Sequence, residues 1–104
     1  MTMAMGIASV ADLTGRQVNL AVGASSSVVV EQWHGRERER TATHLAETAQ
    51  ITRALLAGEK VSFSGELASC HGYRLRLDPV PGPITIAAFS PAAVRAAARH
   101  SDRM

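Results

Sequence analysis

Apolar and polar positions alternate along parts of the chain and recur at helical spacing along others. Thr14-Gly15 reads as a turn, and Gln17-Val18-Asn19-Leu20-Ala21-Val22 then has period-two character leading into Gly23. That pattern predicts a short strand that ends where backbone freedom is needed. Ala24-Ser25-Ser26-Ser27 is small and polar, as a loop is, while Val28-Val29-Val30 is β-branched and stiff. Glu31 to Arg36 is expected to be loop or irregular. From Thr41 to Ala57 the period changes: Leu45, Thr48, Ile51 or Thr52, and Leu55 form one apolar stripe, with Glu47, Gln50 and Arg53 outside it. The stripe predicts a helix, and Gly58 supplies its stop.

The following section is extended. Lys60-Val61-Ser62-Phe63 alternates, Ser64-Gly65 reads as a turn, and Tyr73-Arg74-Leu75-Arg76-Leu77 predicts a half-buried strand. Three prolines between Asp78 and Pro83 forbid regular structure. Ile84-Thr85-Ile86-Ala87-Ala88-Phe89 is nearly all apolar, the signature of a strand covered on both faces, as in a parallel sheet. Ser90-Pro91 opens a last helix through His100, with serine as cap and proline preorganised at the first helical position. The predicted order is strand, helix, two-stranded excursion, buried strand, helix.

Composition narrows the class. The 104 residues include 18 alanines and a single cysteine, with 11 basic against 9 acidic side chains. That length suits one small domain, taken as residues 1–104. One cysteine makes no internal disulfide and no thiolate zinc cluster, so a reducing, cytoplasmic setting is expected. No apolar run is long enough for a membrane span, and the opening MTMAMGIASV lacks the basic start of a signal peptide. Arg36-Glu37-Arg38-Glu39-Arg40 alternates in sign, which makes a solvated surface and not a phosphate-collecting field. With only four aromatic residues, none beside a basic cluster, nucleic acid is a poor partner. No metal-ligand spacing, phosphate loop or nucleophile elbow occurs.

Two places have the residues for chemistry. At Ala87 to Ala93 a strand delivers the chain to a helix start, whose free amides together with the Ser90 hydroxyl suit an anion. Ordinary serine capping and close packing account for the same residues. From Gly23 to Arg36, small residues after a strand end precede Trp33-His34-Gly35. His34 suits hydrogen bonding or proton transfer near neutral pH, and Trp33 suits stacking on a flat ring. A buried anchoring tryptophan beside a surface histidine accounts for the pair equally well. His44, His100 and Cys70-His71 lack partners that would raise them above ordinary surface or core roles.

Four segments, in order, resemble the luciferase-like flavin- and deazaflavin-dependent oxidoreductase family, particularly its coenzyme F420-dependent branch. They are Leu13-Thr14-Gly15-Arg16 with Val18 to Gly23; Val29-Val30-Glu31-Gln32-Trp33-His34-Gly35-Arg36; Ile51 to Gly65, with the excursion into Tyr73-Arg74-Leu75; and Pro83 to Ala93, continuing to Asp102. The resemblance spans about residues 13–102.

It implies an α/β fold, part of a (β/α)₈ TIM barrel: two βα units and a short β excursion. It also implies coenzyme F420, or alternatively FMN, at the C-terminal ends of the strands. On that basis Ala88, Ser90 and the amides of Ala92 and Ala93 would hold the cofactor's phosphate end. Gly23 and Ser25 would lie beside the ring, and Trp33 and His34 would border the ring or an organic substrate, with His34 as the candidate catalytic group. Family members are usually much longer, so this chain is expected to be a partial member, inactive alone and associating with copies of itself or with the remaining barrel. An FMN-dependent monooxygenase and a small non-catalytic α/β interaction module are the alternatives.

Overall fold

A computed structural model describes all 104 residues and gives an α/β arrangement of alternating helices and strands. In chain order these are α1 (Thr2–Thr14), β1 (Leu20–Gly23), a π-helical segment (Val28–Trp33), α2 (Thr41–Leu56), β2 (Val61–Ser64), β3 (Ser69–Tyr73), β4 (Ile84–Ala87) and α3 (Pro91–His100). β1 and β4 pair in parallel, with Leu20 opposite Ile84 and Gly23 opposite Ala87. β2 and β3 form a separate antiparallel hairpin. No helix is long and apolar enough to cross a membrane.

Helix α2 joins the two halves of the interior. Its Leu45 and Ala49 pack with Leu20, Val22, Ile84 and Ile86 of the parallel pair and with Ala97 of α3. One turn further on, Ile51, Leu55 and Leu56 pack with Ala4 and Ala8 of α1, Val61 of β2, and the irregular Leu75 and Val80. Removal of apolar surface from water drives both clusters. Gly58, at φ 84°, stops the helix as expected. The alanine-rich profile of α3 serves a close approach, because Ala93, Ala96 and Ala97 are its buried positions.

β4 has backbone partners on both sides. Asp102 and Arg103 donate N–H groups to the Ile84 carbonyl, Ile86 N–H donates to Arg103, and Thr85 and Arg103 form a parallel bridge. The Asp102 carboxylate accepts from Ile84 N–H at 2.8 Å and from Arg53 Nη2 at 2.9 Å. The backbone bond first, and Arg53 second, hold this carboxyl below its ordinary value of 3.8.

Several expectations are corrected. Residues 2–14 form a helix where none was expected; their apolar positions show no single stripe, and the buried pair, Ala4 and Ala8, is small. Thr14-Gly15 is therefore the end of α1, with Gly15 at φ 65° as its cap. The second strand of the excursion is Ser69–Tyr73, not Tyr73 to Leu77. The ladder closes at Val61 opposite Tyr73, and before Val61 the partner chain turns back toward α2, so residues 74–77 face no strand. Leu75 is still buried and its flanking arginines exposed, as the alternation implied. β4 ends at Ala87 and is not buried throughout: Ile84 and Ile86 are covered, Ala87 is exposed, and Phe89 is 98% exposed.

Candidate functional site

Because β1 and β4 run parallel and in register, Gly23 and Ala87 stand side by side where both strands end. A Cβ built on Gly23 would meet the Ala87 Cβ at 3.4 Å, so small side chains keep this edge low. The chain leaves β1 through Ala24 and Ser25, the latter at φ 57°, and enters the π-helical segment. Stiff valines in a wide helical turn were not anticipated, nor was helical order at Glu31 to Trp33. The i to i+5 bond from His34 N–H to Val29 carbonyl, 3.1 Å, closes the segment and sets His34 as its terminal residue. π-turns of this kind are rare and recur at functional sites.

These elements enclose a cleft of about 620 Å³ against the first turns of α2. Gly23, Ala24, His34 and Arg38 line it together with Thr41, His44 and Thr48. The volume falls in the range of small-molecule sites, roughly 300–1,000 Å³. Its wall combines an apolar floor, including Ala21, Val22 and Leu45, with two imidazoles and the mixed charges of residues 36–39. A flat, partly apolar ring with polar edges suits such a lining. No three His, Cys, Asp or Glu side chains converge anywhere as metal ligands.

Of the residues singled out from sequence, the cleft brings together Gly23 and His34. Ser25 adjoins it through the backbone and is exposed. Trp33 is 72% exposed and does not line the cleft, so it is not a buried anchor for the loop. Ala88, Ser90, Ala92 and Ala93 lie beyond the neighbouring strand end, also outside the cleft lining. There Ser90 Oγ accepts from Ala93 N–H at 3.2 Å, which is helix capping, and Ala92 is exposed while Ala93 is buried. The Ala93 amide thus already has an acceptor, and a phosphate placed here would share or replace it.

Reasoning from sequence missed two charged residues. Arg38 lies in a run whose alternating signs predict a solvated surface, yet its guanidinium donates to the Ala24 and Ser25 carbonyls. Glu47, placed outside the apolar stripe of α2, is only 7% exposed. Its carboxylate accepts from the backbone N–H groups of Glu66 (2.6 Å), Leu67 (2.9 Å) and Ala68 (2.8 Å), at the tip of the β2–β3 hairpin. The signal for Glu47 was present: positions 47, 51 and 55 repeat every four residues, so Glu47 shares a face with two core side chains. For Arg38 no local pattern existed.

The family model described as luciferase-like monooxygenase matches residues 1–104. The chain belongs to the luciferase-like monooxygenase family. It is also 29% identical over 99 residues to a 5,10-methylenetetrahydromethanopterin reductase of Archaeoglobus fulgidus. That match covers 95% of this chain and 30% of the relative, so the chain spans about a third of the length of the reductase. The luciferase-like family is one of oxidoreductases associated with flavin and F420 cofactors.

Proposed function

We propose that this chain supplies two adjacent βα units of a (β/α)₈ barrel oxidoreductase, and that the cleft beside Gly23 and His34 is its share of the cofactor and substrate site. The observation that carries this reading is the cleft's position at the C-terminal end of β1, the strand that pairs in parallel with β4, in a chain of the luciferase-like family. Ligands of barrels and open parallel sheets bind at that end because loops and helix starts gather there. Coenzyme F420 is the favoured cofactor and FMN the alternative. The relative's name describes a reductase, which favours hydride transfer to or from an organic substrate over oxygen insertion.

When bound, the cofactor ring supplies hydride exchange with that substrate. The chain's own residues bind and orient. Gly23 and Ser25 border the ring, with the small edge at Gly23 and Ala87 allowing close approach. His34 stands on the cleft wall, where its imidazole can hold or move a proton at the substrate. Trp33, on the exposed side of the same segment, borders the substrate approach. Ala88, Ser90, Ala92 and Ala93 receive the phosphate end at the start of α3. Turnover requires the rest of a barrel, supplied by further chain or by self-association, so the 104 residues alone bind cofactor without catalysing the reaction.

Titration of the full chain with coenzyme F420 and with FMN, followed by fluorescence, tests this reading. Saturable binding of either is expected. If neither binds while the chain is folded and monomeric, the cofactor reading falls and an α/β interaction module takes its place. Ser90→Ala should weaken binding about tenfold if Ser90 holds the phosphate end, a loss of about 1.4 kcal/mol. Unchanged affinity sinks the phosphate assignment alone.

A further inference from the structure

Within the run Arg36 to Arg40, only Arg38 is half-buried; the other four residues are exposed. Its guanidinium reaches backbone 13 and 14 residues earlier in the chain. Nη2 donates to the Ser25 carbonyl at 2.8 Å and Nε to the Ala24 carbonyl at 3.4 Å. Arg38 makes no ion pair with its neighbours Glu37 and Glu39. Both acceptors belong to the two residues that follow Gly23 out of β1, and Ser25 is in the left-handed region, at φ 57°. A non-glycine residue stays there only when its surroundings hold it. A rigid fork of donors suits two successive carbonyls where a lysine ammonium would act as a single point. Arg38, Gly23, Ala24 and His34 line one cleft.

We propose that Arg38 is a positioning residue of this site. It holds the Ala24 and Ser25 carbonyls, keeps the left-handed bend after Gly23, and so sets the backbone edge against which the cofactor ring lies. The inference rests on the reading of the cleft as a cofactor site. Arg38 touches backbone and acts on the ring through it. The same clasp ties the segment that follows β1 to the segment that leads into α2, and both segments line the cleft.

The test compares the unaltered full chain with Arg38→Ala and Arg38→Lys. It measures affinity for coenzyme F420 and FMN, amide hydrogen exchange at Val29 and Val30, which donate to Ser26 Oγ and the Ser26 carbonyl, and thermal unfolding. Arg38→Ala is expected to weaken cofactor binding about tenfold, because the binding-competent bend is depopulated once the clasp is gone. Exchange at the Val29 and Val30 amides should rise without any cofactor present, and added guanidinium ion at low concentration should restore part of the affinity. Arg38→Lys should fall between the two. Faster exchange with unchanged affinity overturns the proposal and leaves the cofactor reading standing. An unaltered chain that binds neither cofactor removes both. If Arg38→Ala does not fold, Arg38→Lys decides: affinity equal to that of the unaltered chain overturns the proposal.

Discussion

Two irregular stretches of this chain are each tied down by one charged side chain from a distant position, and they are tied in opposite ways. At the tip of the β2–β3 hairpin, the buried Glu47 carboxylate accepts three successive backbone N–H groups. After β1, the half-buried Arg38 guanidinium donates to two successive carbonyls. The hairpin tip is closed around its anchor: a Cβ on Gly65 would lie 2.6 Å from both the Ala68 carbonyl oxygen and Glu47 Oε1. The bend after β1 is open to solvent on one side and to the cleft on the other. A buried charge that satisfies several amides is costly to disturb, since its removal strands donors without water. A half-buried anchor can be lost at smaller cost because water replaces it. One region is therefore built for permanence, and the other is the edge on which the proposed cofactor site rests.

The strongest way to break this contrast is Glu47→Ala. It leaves three amides at the hairpin tip without their acceptor, and a loss of about 3 kcal/mol in unfolding free energy is expected from denaturant titration. A loss no larger than that of Arg38→Ala would erase the distinction between the two anchors. Gly65→Ala comes next, at about 2 kcal/mol, because the added methyl meets backbone as well as the glutamate. Arg38→Ala should cost about 1 kcal/mol of stability, since its bonds are partly exposed. Its larger consequence is expected in cofactor affinity.

The smallest effect sharpens the comparison through a third clasp. Asp102 also accepts a backbone N–H, that of Ile84, but is exposed. Its carboxyl is held below the ordinary value of 3.8, first by the Ile84 N–H and then by Arg53. The folded state thus binds this proton less readily than the unfolded chain does. The stabilising contribution is complete above about pH 3.8 and is lost as pH falls through the lower folded value. Asp102→Asn should therefore lower stability at pH 7 by the small amount that this carboxylate contributes there, and flatten the acid limb so that the two chains converge at low pH. An unchanged acid limb would show that other carboxylates carry it.

Much of the framework was legible in local pattern. The α2 stripe and its Gly58 stop, the Ser90-Pro91 start of α3, and the strand beginning at Ile84 all stand where short-range rules put them. Those rules work because capping, φ preference and side-chain period act within a few residues. They failed at α1, where apolar residues lie on every side, and at Tyr73 to Leu77, where alternation exists but no partner strand does. In the candidate site, Gly23 and His34 were found as small and protic residues near a strand end. The cleft that joins them to α2, and the separation of Ser90 and Ala93 from that cleft, were not readable.

What this sequence determines by itself is a set of helices and strands in βα order and enough motif to resemble the luciferase-like family, because both are written in neighbouring residues. The tertiary structure alone decides that β1 lies against β4, sixty-four residues apart at the pair Leu20 and Ile84. It also decides that Glu47 and Arg38 leave the solvated class to which their charge assigned them. Both outcomes depend on which backbone groups the fold brings within hydrogen-bond reach, and a carboxylate or guanidinium carries no mark of its distant partner until packing supplies it.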